Sequence, residues 1–315
     1  MANITRQQLL DDLAKAATET PLTGLNLSGL DLSSANLSGA LIPAANLSGA
    51  NLSNCNLTNA DLAFSNLQNA NLTNAILNGA ALRAAGLPQA KLSGAKMQSI
   101  RMAEAFAPGA DFENADLTGG DIRNANLRGA NLLSANLTGA DLSGSDLTNA
   151  TVAGNLSNAK LKKATLIEAN LGSANLNGAD LTGAFLNRAT LDSATLVGAD
   201  LTGAILKGAF ASEFANFTKA ILSGANLQGA RLPLATLTAA NLSGADLDSA
   251  DVSGTDMSQA NLIKANLFKA DLSNANLKGA DLTGAFLLEA KLDGVQLDNA
   301  TKWPAGFPRP LTAAA

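Results

Sequence analysis

The sequence predicts an all-β solenoid, a chain wound into a square coil and closed at its front by a capping α-helix. Apolar residues recur at every fifth position, and nearly all the apolar material is Leu and Ala. Aromatic residues make up only 3% of the 315 residues, against 47% hydrophobic. A core of two side-chain sizes points to one small packing unit copied many times.

The repeat starts at Leu22 and runs through Leu27, Leu32, Leu37, Ile42, Leu47, Leu52 and Leu57 to Val152. Around each such centre, a small residue stands two places before (Ala35, Ala40, Ala45, Ala50, Ala60) and Asn or Asp directly before. Ser or Thr often follows, and Gly or Asn completes the unit. A helix would smear this pattern, because five residues at roughly 100° each leave a net rotation of about 140° per unit. A strand would send alternate centres to opposite faces, because five is odd. A chain that turns inward at each unit buries every centre. Four units then close one coil, and the next coil stacks about 4.8 Å further along.

The period slips twice. Leu156 follows Val152 after four residues, and the new phase holds through Leu161, Leu166 and Leu171 to Leu206. Phe217 follows Leu206 after eleven, and the first phase returns through Leu222 to Leu297. The count is about 56 units, or about 14 coils in a rod of about 65 Å. A four-residue step fits at a corner and an extra residue can bulge outward. Neither slip holds a run of Gly, Pro or charge, so one continuous solenoid is expected.

The pattern resembles the pentapeptide-repeat family, widespread in bacteria and especially cyanobacteria, over about residues 22 to 300. The resemblance implies a right-handed quadrilateral β-helix with the small and central residues inside and the other three outside. The segment Thr301-Lys302-Trp303-Pro304-Ala305-Gly306-Phe307 is similar to the closing segment of many members. The best understood members mimic duplex DNA and protect topoisomerases.

Both ends of a solenoid expose an apolar layer and unpaired backbone, so caps are expected in segments 1–21 and 301–315. At the front, Thr5 with Gln8 forms a capping box and Ile4 with Leu9 a hydrophobic staple, opening a helix to about Ala17 whose apolar stripe includes Leu10 and Leu13. At the back, Trp303, Phe307 and three prolines cover the last coil.

Chemistry is scarce in this composition. No His is present, which removes the commonest general base and metal ligand. Cys55 takes the place of a small inward Ala, so it packs as a buried thiol and makes no disulfide. Paired carboxylates on a convex surface lie in open water with nothing to split their pKa values. No enzyme, cofactor or metal site is expected. The Asn-Leu-Ser and Asn-Leu-Thr sequons at Asn36 and Asn136, and the glycines at Gly24 and Gly29, are by-products of the unit. Broken Thr columns argue against ice binding. With a net charge of -5, direct nucleic-acid binding is not expected. Lacking a leader-like opening, an apolar run of membrane-span length and a cysteine pair, the chain is read as cytoplasmic. A monomer or end-to-end dimer is expected.

Departures from the polar outer positions carry the functional reading. Ile167, Phe185 and Ile205 project from one face in consecutive coils, and after two polar coils Phe268, Phe286 and Leu288 project from the same face. These six residues are the candidate docking surface for a protein partner of a non-enzymatic scaffold. The irregular segment Phe210–Asn216, with Glu213 and Phe214, is expected to bulge beside it. The alternative function is DNA mimicry toward a topoisomerase or another DNA-binding protein. It rests on an acidic row of Asp61, Asp121, Asp141, Asp180 and Asp200, interrupted by Arg101, Arg123 and the cluster Lys160, Lys162 and Lys163.

Overall fold

The computed structural model describes residues 5–15, 22–211 and 214–310. The chain divides into two compact units, Met1–Asn155 and Leu156–Ala315. The division falls at the first slip of the repeat.

Each five-residue unit makes one corner and one side. At Leu47 the Ala50 N–H donates to the Leu47 carbonyl at 3.0 Å, closing a four-residue turn. Gly49, third in that turn, has φ 64°. A positive φ at this place is the mark of a type II turn, and it explains why the unit ends in Gly or Asn. Only the residue before the centre remains extended. Pairing between coils is therefore a series of one-residue parallel bridges, such as Asn46↔Asn66, in place of the extended strands of an ordinary sheet.

All five backbone donors of the unit are satisfied. The Asn46 N–H reaches back to the Leu25 carbonyl at 2.7 Å, while Leu47 and Gly49 reach forward to Asn66 and Gln68 at 2.7 and 2.8 Å. Ala50 closes the turn, and the Ser48 N–H donates to Asn46 Oδ1 at 3.1 Å. That last bond is why Asn or Asp stands before the centre, since its short side chain accepts two residues on.

In the first unit, α1 (Arg6–Lys15) opens with the expected capping box. The Thr5 N–H donates to Gln8 Oε1 at 2.8 Å and the Gln8 N–H to Thr5 Oγ1 at 3.2 Å. Leu9 is fully buried, and Arg6 Nη2 donates to the Ser33 carbonyl at 3.2 Å, tying the helix to the early coils. Ile4, Ala17 and the side chains of Leu10 and Leu13 lie outside the described residues. Four ladders follow, one per face, each stepping by 20 residues until Asn136 pairs with Asn155, one residue short. The missing residue is the small one, and Gly154 stands in the corner. A Cβ there would collide with the Ala135 carbonyl oxygen.

The second unit carries the longer slip. Thr195 pairs with Asn216, 21 residues on, while Phe210 keeps its place opposite Thr190. Ala211 takes the centre and is buried, and the ladder pairing resumes at Asn216. A third slip, which the repeat pattern does not announce, occurs at the end. Asp281 pairs with Lys302 rather than with residue 301. Asp298 builds a wider turn in which its Oδ1 accepts the Gly279, Ala300 and Thr301 N–H groups at 2.9 to 3.0 Å. Ladder pairing thus extends to Lys302, and the Trp303 and Phe307 rings stand 6.3 Å apart beyond it.

Candidate functional site

The face expected to dock a partner belongs to the second unit. Its ladder runs Thr165, Phe185, Ile205, Asn226, Asp246, Asn266, Phe286. Phe185 and Ile205 are therefore direct neighbours in successive coils. Ile167, just after its centre, precedes Phe185 by 18 residues, the spacing at which Phe268 meets Phe286. Phe185 is 38% exposed, and Ile167 and Ile205 are half-buried.

The second cluster is partly satisfied within the chain. Phe268 and Phe286 stack with centroids 5.9 Å apart, and Lys269 Nζ sits 4.7 Å from the Phe268 ring centre. Phe286 and Leu288 remain 52% exposed. The structure does not merge the two clusters. Between them lie Asn226 with Gln228 and Asp246 with Asp248, joined by a Gln228 Nε2 bond to Asp248 Oδ2 at 3.0 Å.

Beside the first cluster runs a shallow groove of about 530 Å³ along Ile167, Glu168, Asn187, Arg188, Lys207 and Gln228. Arg188 Nη1 bridges to Glu168 at 2.9 Å. Gly208 and Gly229, at turn positions, complete its lining. On the neighbouring ladder Phe210 stays in register, and the Arg231 guanidinium lies 5.6 Å from its ring centre. Phe214 projects, 70% exposed, and Glu213 lies outside the described residues.

The acidic row is more broken than its sequence suggests. In the first unit the ladder reads Leu41, Asp61, Ala81, Arg101, Asp121, Asp141, so Ala81 as well as Arg101 separates Asp61 from Asp121. Arg123 clasps Asp121 with Nε at 2.7 Å and Nη2 at 2.8 Å, holding its carboxyl below the usual range. In the second unit the ladder reads Lys160, Asp180, Asp200, Ile221, Asn241, Asn261, Asp281, Lys302. Lys162 pairs with Asp180 at 3.1 Å and Lys302 with Asp281 at 2.9 Å.

Cys55 is buried at a small position, its Sγ donating to the Leu32 carbonyl at 2.7 Å, and burial pushes the thiol pKa up. Ser65, Ser145 and Thr255 occupy equivalent buried places, each donating to a backbone carbonyl. Among the described residues no helix is long and apolar enough to cross a membrane.

A five-residue unit that bends the chain at every repeat and stacks four ladders defines a quadrilateral β-solenoid. The chain belongs to the pentapeptide-repeat family. The family model "Pentapeptide repeats (8 copies)" matches residues 44–79, 65–103, 98–132, 110–149, 155–187, 169–208, 213–238, 240–279 and 270–301. Proteins of this family fold as right-handed β-helices and are generally non-enzymatic structural or interaction proteins. No curated protein matches the chain. Among solved structures it is similar to HetL, a pentapeptide-repeat protein involved in heterocyst differentiation regulation from the cyanobacterium Nostoc sp. strain PCC 7120. That match has 28% identity over 95% of this chain and 99% of HetL, with a TM-score of 0.25. It is similar to Rfr23 from the cyanobacterium Cyanothece 51142, 36% identical over 38% of this chain and 63% of that one, TM-score 0.21. QnrB1, a plasmid-mediated fluoroquinolone resistance protein, matches at 24% identity over 62% of this chain and 89% of its own, TM-score 0.28.

Proposed function

We propose that the chain is a non-enzymatic scaffold that docks a protein partner through Ile167, Phe185, Ile205, Phe268, Phe286 and Leu288. The carrying observation is the direct succession of Phe185 and Ile205 on one ladder, at positions where the repeat needs only small polar residues. Burying aligned apolar side chains gives affinity, and the ion pair and lysine of the adjoining groove form a polar rim. A rigid ladder presents them already ordered, which lowers the entropic cost of binding.

DNA mimicry is the weaker reading. An acidic track must present uncompensated charge at regular spacing, whereas Asp121, Asp180 and Asp281 are each paired with a cation and the rows contain Ala81, Arg101 and Ile221. The test is affinity capture from the native host with wild type, Phe185→Asp and Phe286→Asp, followed by titration of the purified candidate partner. A partner that binds wild type and is lost from both variants at unchanged melting temperature supports docking. Equal binding by all three overturns it. Strong inhibition of topoisomerase supercoiling at micromolar protein would favour mimicry instead.

A further inference from the structure

One corner of the first unit departs from the repeat as clearly as the docking face does, and that face does not account for it. Along the ladder Leu41, Asp61, Ala81, Arg101, the residues after successive centres are Pro43-Ala44, Ala63-Phe64, Arg83-Ala84 and Ala103-Glu104. Leu41, Pro43, Ala44, Ala63, Phe64 and Ala81 thus replace the usual Asn, Ser, Thr and Gly, and none of them is buried. Phe64 is 61% exposed and Leu41 38%.

Phe64 also carries its ring on the outer turn position, where the repeat most often has Gly or Asn. It is the third residue of its turn, with φ 61°, a left-handed conformation that a bulky aromatic side chain adopts only at a cost. Along the same corner the position holds Ala44, Ala84 and Glu104, then Asn124 and Gly144, the last two being residues the turn favours.

We propose that this patch is the interface of a homodimer, in which the first units of two copies pack face to face with their coils antiparallel. The charges select both the occupant and the geometry. Asp61, Arg83, Arg101 and Glu104 sum to zero, so this corner meets its own copy without the repulsion that the net charge of -5 imposes elsewhere. A two-fold axis along the solenoid would set Asp61 against Asp61 and Arg101 against Arg101. An axis across the face, in front of Ala81, sets each Asp61 against Arg101 of the other copy. The two Ala81 side chains meet at the axis, small enough for the faces to approach. Each Phe64 ring then covers the Arg83–Glu104 ion pair of the other copy, closed at 3.1 Å, whose flat guanidinium suits an aromatic face. Leu41 meets Asp121, whose charge Arg123 already compensates at 2.7 Å. Such an interface is isologous, and the same patch serves both subunits.

Size-exclusion chromatography with light scattering on the full chain, over about 1–100 μM, tests the proposal. Wild type is expected to dimerise. Phe64→Asn, which restores a favoured turn residue, should weaken association at least about tenfold while the melting temperature holds or rises. Arg101→Asp should do the same, and adding Asp61→Arg should restore the dimer. Ala81→Cys should oxidise to a covalent dimer, because the native Cys55 is buried. A monomeric wild type, a dimer indifferent to Phe64→Asn and Arg101→Asp, or a folded double variant that stays monomeric would each overturn the proposal. If the double variant does not fold, failure of Ala81→Cys to cross-link decides against it. Phe185→Asp lies in the other unit and should leave the dimer intact, so the docking face and this interface fail separately.

Discussion

Two centres, Ala107 and Ala211, end at Cβ, and in each case the next centre around the same coil is a phenylalanine, Phe112 or Phe217. All four are buried, and no other centre is Ala or Phe. A coil interior has a set volume, so a ring in one corner fills the space that a missing Leu leaves in the next. The pairing predicts non-additivity. Phe112→Leu alone should leave a void, and Ala107→Leu alone should overpack at about 1–3 kcal/mol. The double variant, which restores two ordinary Leu centres, should cost less than the sum by about 1 kcal/mol or more in a denaturant-unfolding cycle. Simple additivity would show that the two positions do not share one cavity.

At the scale of the unit, the turn decides what each position tolerates. Gly139 has φ 65° with open space around its Cβ direction, so Gly139→Asn should be nearly neutral, as Asn serves this place in many units. Gly154 is different in kind. A Cβ at Gly154 would lie 3.1 and 3.2 Å from the N and C atoms of Ala135, and backbone cannot step aside. Gly154→Ala should therefore cost about 1–3 kcal/mol, read as a drop in denaturation midpoint. The same comparison marks the limit of sequence reading. The register, the inward series and the capping box of Thr5 and Gln8 are legible because each is a local pattern with one geometric solution. The slip at Asp298–Thr301 is not, since Asp298-Asn299-Ala300 looks like another unit, and only the bonds collected by Asp298 Oδ1 reveal a wider turn. The Phe64 corner is hidden in the sequence because its Ala residues read as the small inward kind, although Ala44, Ala63 and Ala84 occupy outward places.

Among the described residues, most ion pairs tie neighbouring coils, joining residues 18 to 21 apart. Lys291 Nζ meets Asp271 at 2.9 Å and holds its pKa at about 2, aided by Ser273; Lys302 does the same for Asp281, aided by Thr283. Both carboxylates start from an ordinary value of 3.8. A folded-state pKa below the unfolded one means that the unfolded chain binds the proton more readily. The stabilisation is thus fully present above the unfolded value and is lost as pH falls toward the folded value. Between pH 7 and about 5 the melting temperature should be insensitive to these two pairs, and it should decline between about pH 4 and 2 as both become protonated. Asp271→Asn provides the control. Asn can still accept the Ser273 N–H bond that Asp271 Oδ1 now accepts at 3.0 Å, so the turn survives while the charge is lost. The variant should melt slightly lower than wild type at pH 7 and lose less on acidification, the two curves converging near pH 2. Parallel curves over the whole range would show that the Lys291–Asp271 pair contributes nothing to holding adjacent coils together.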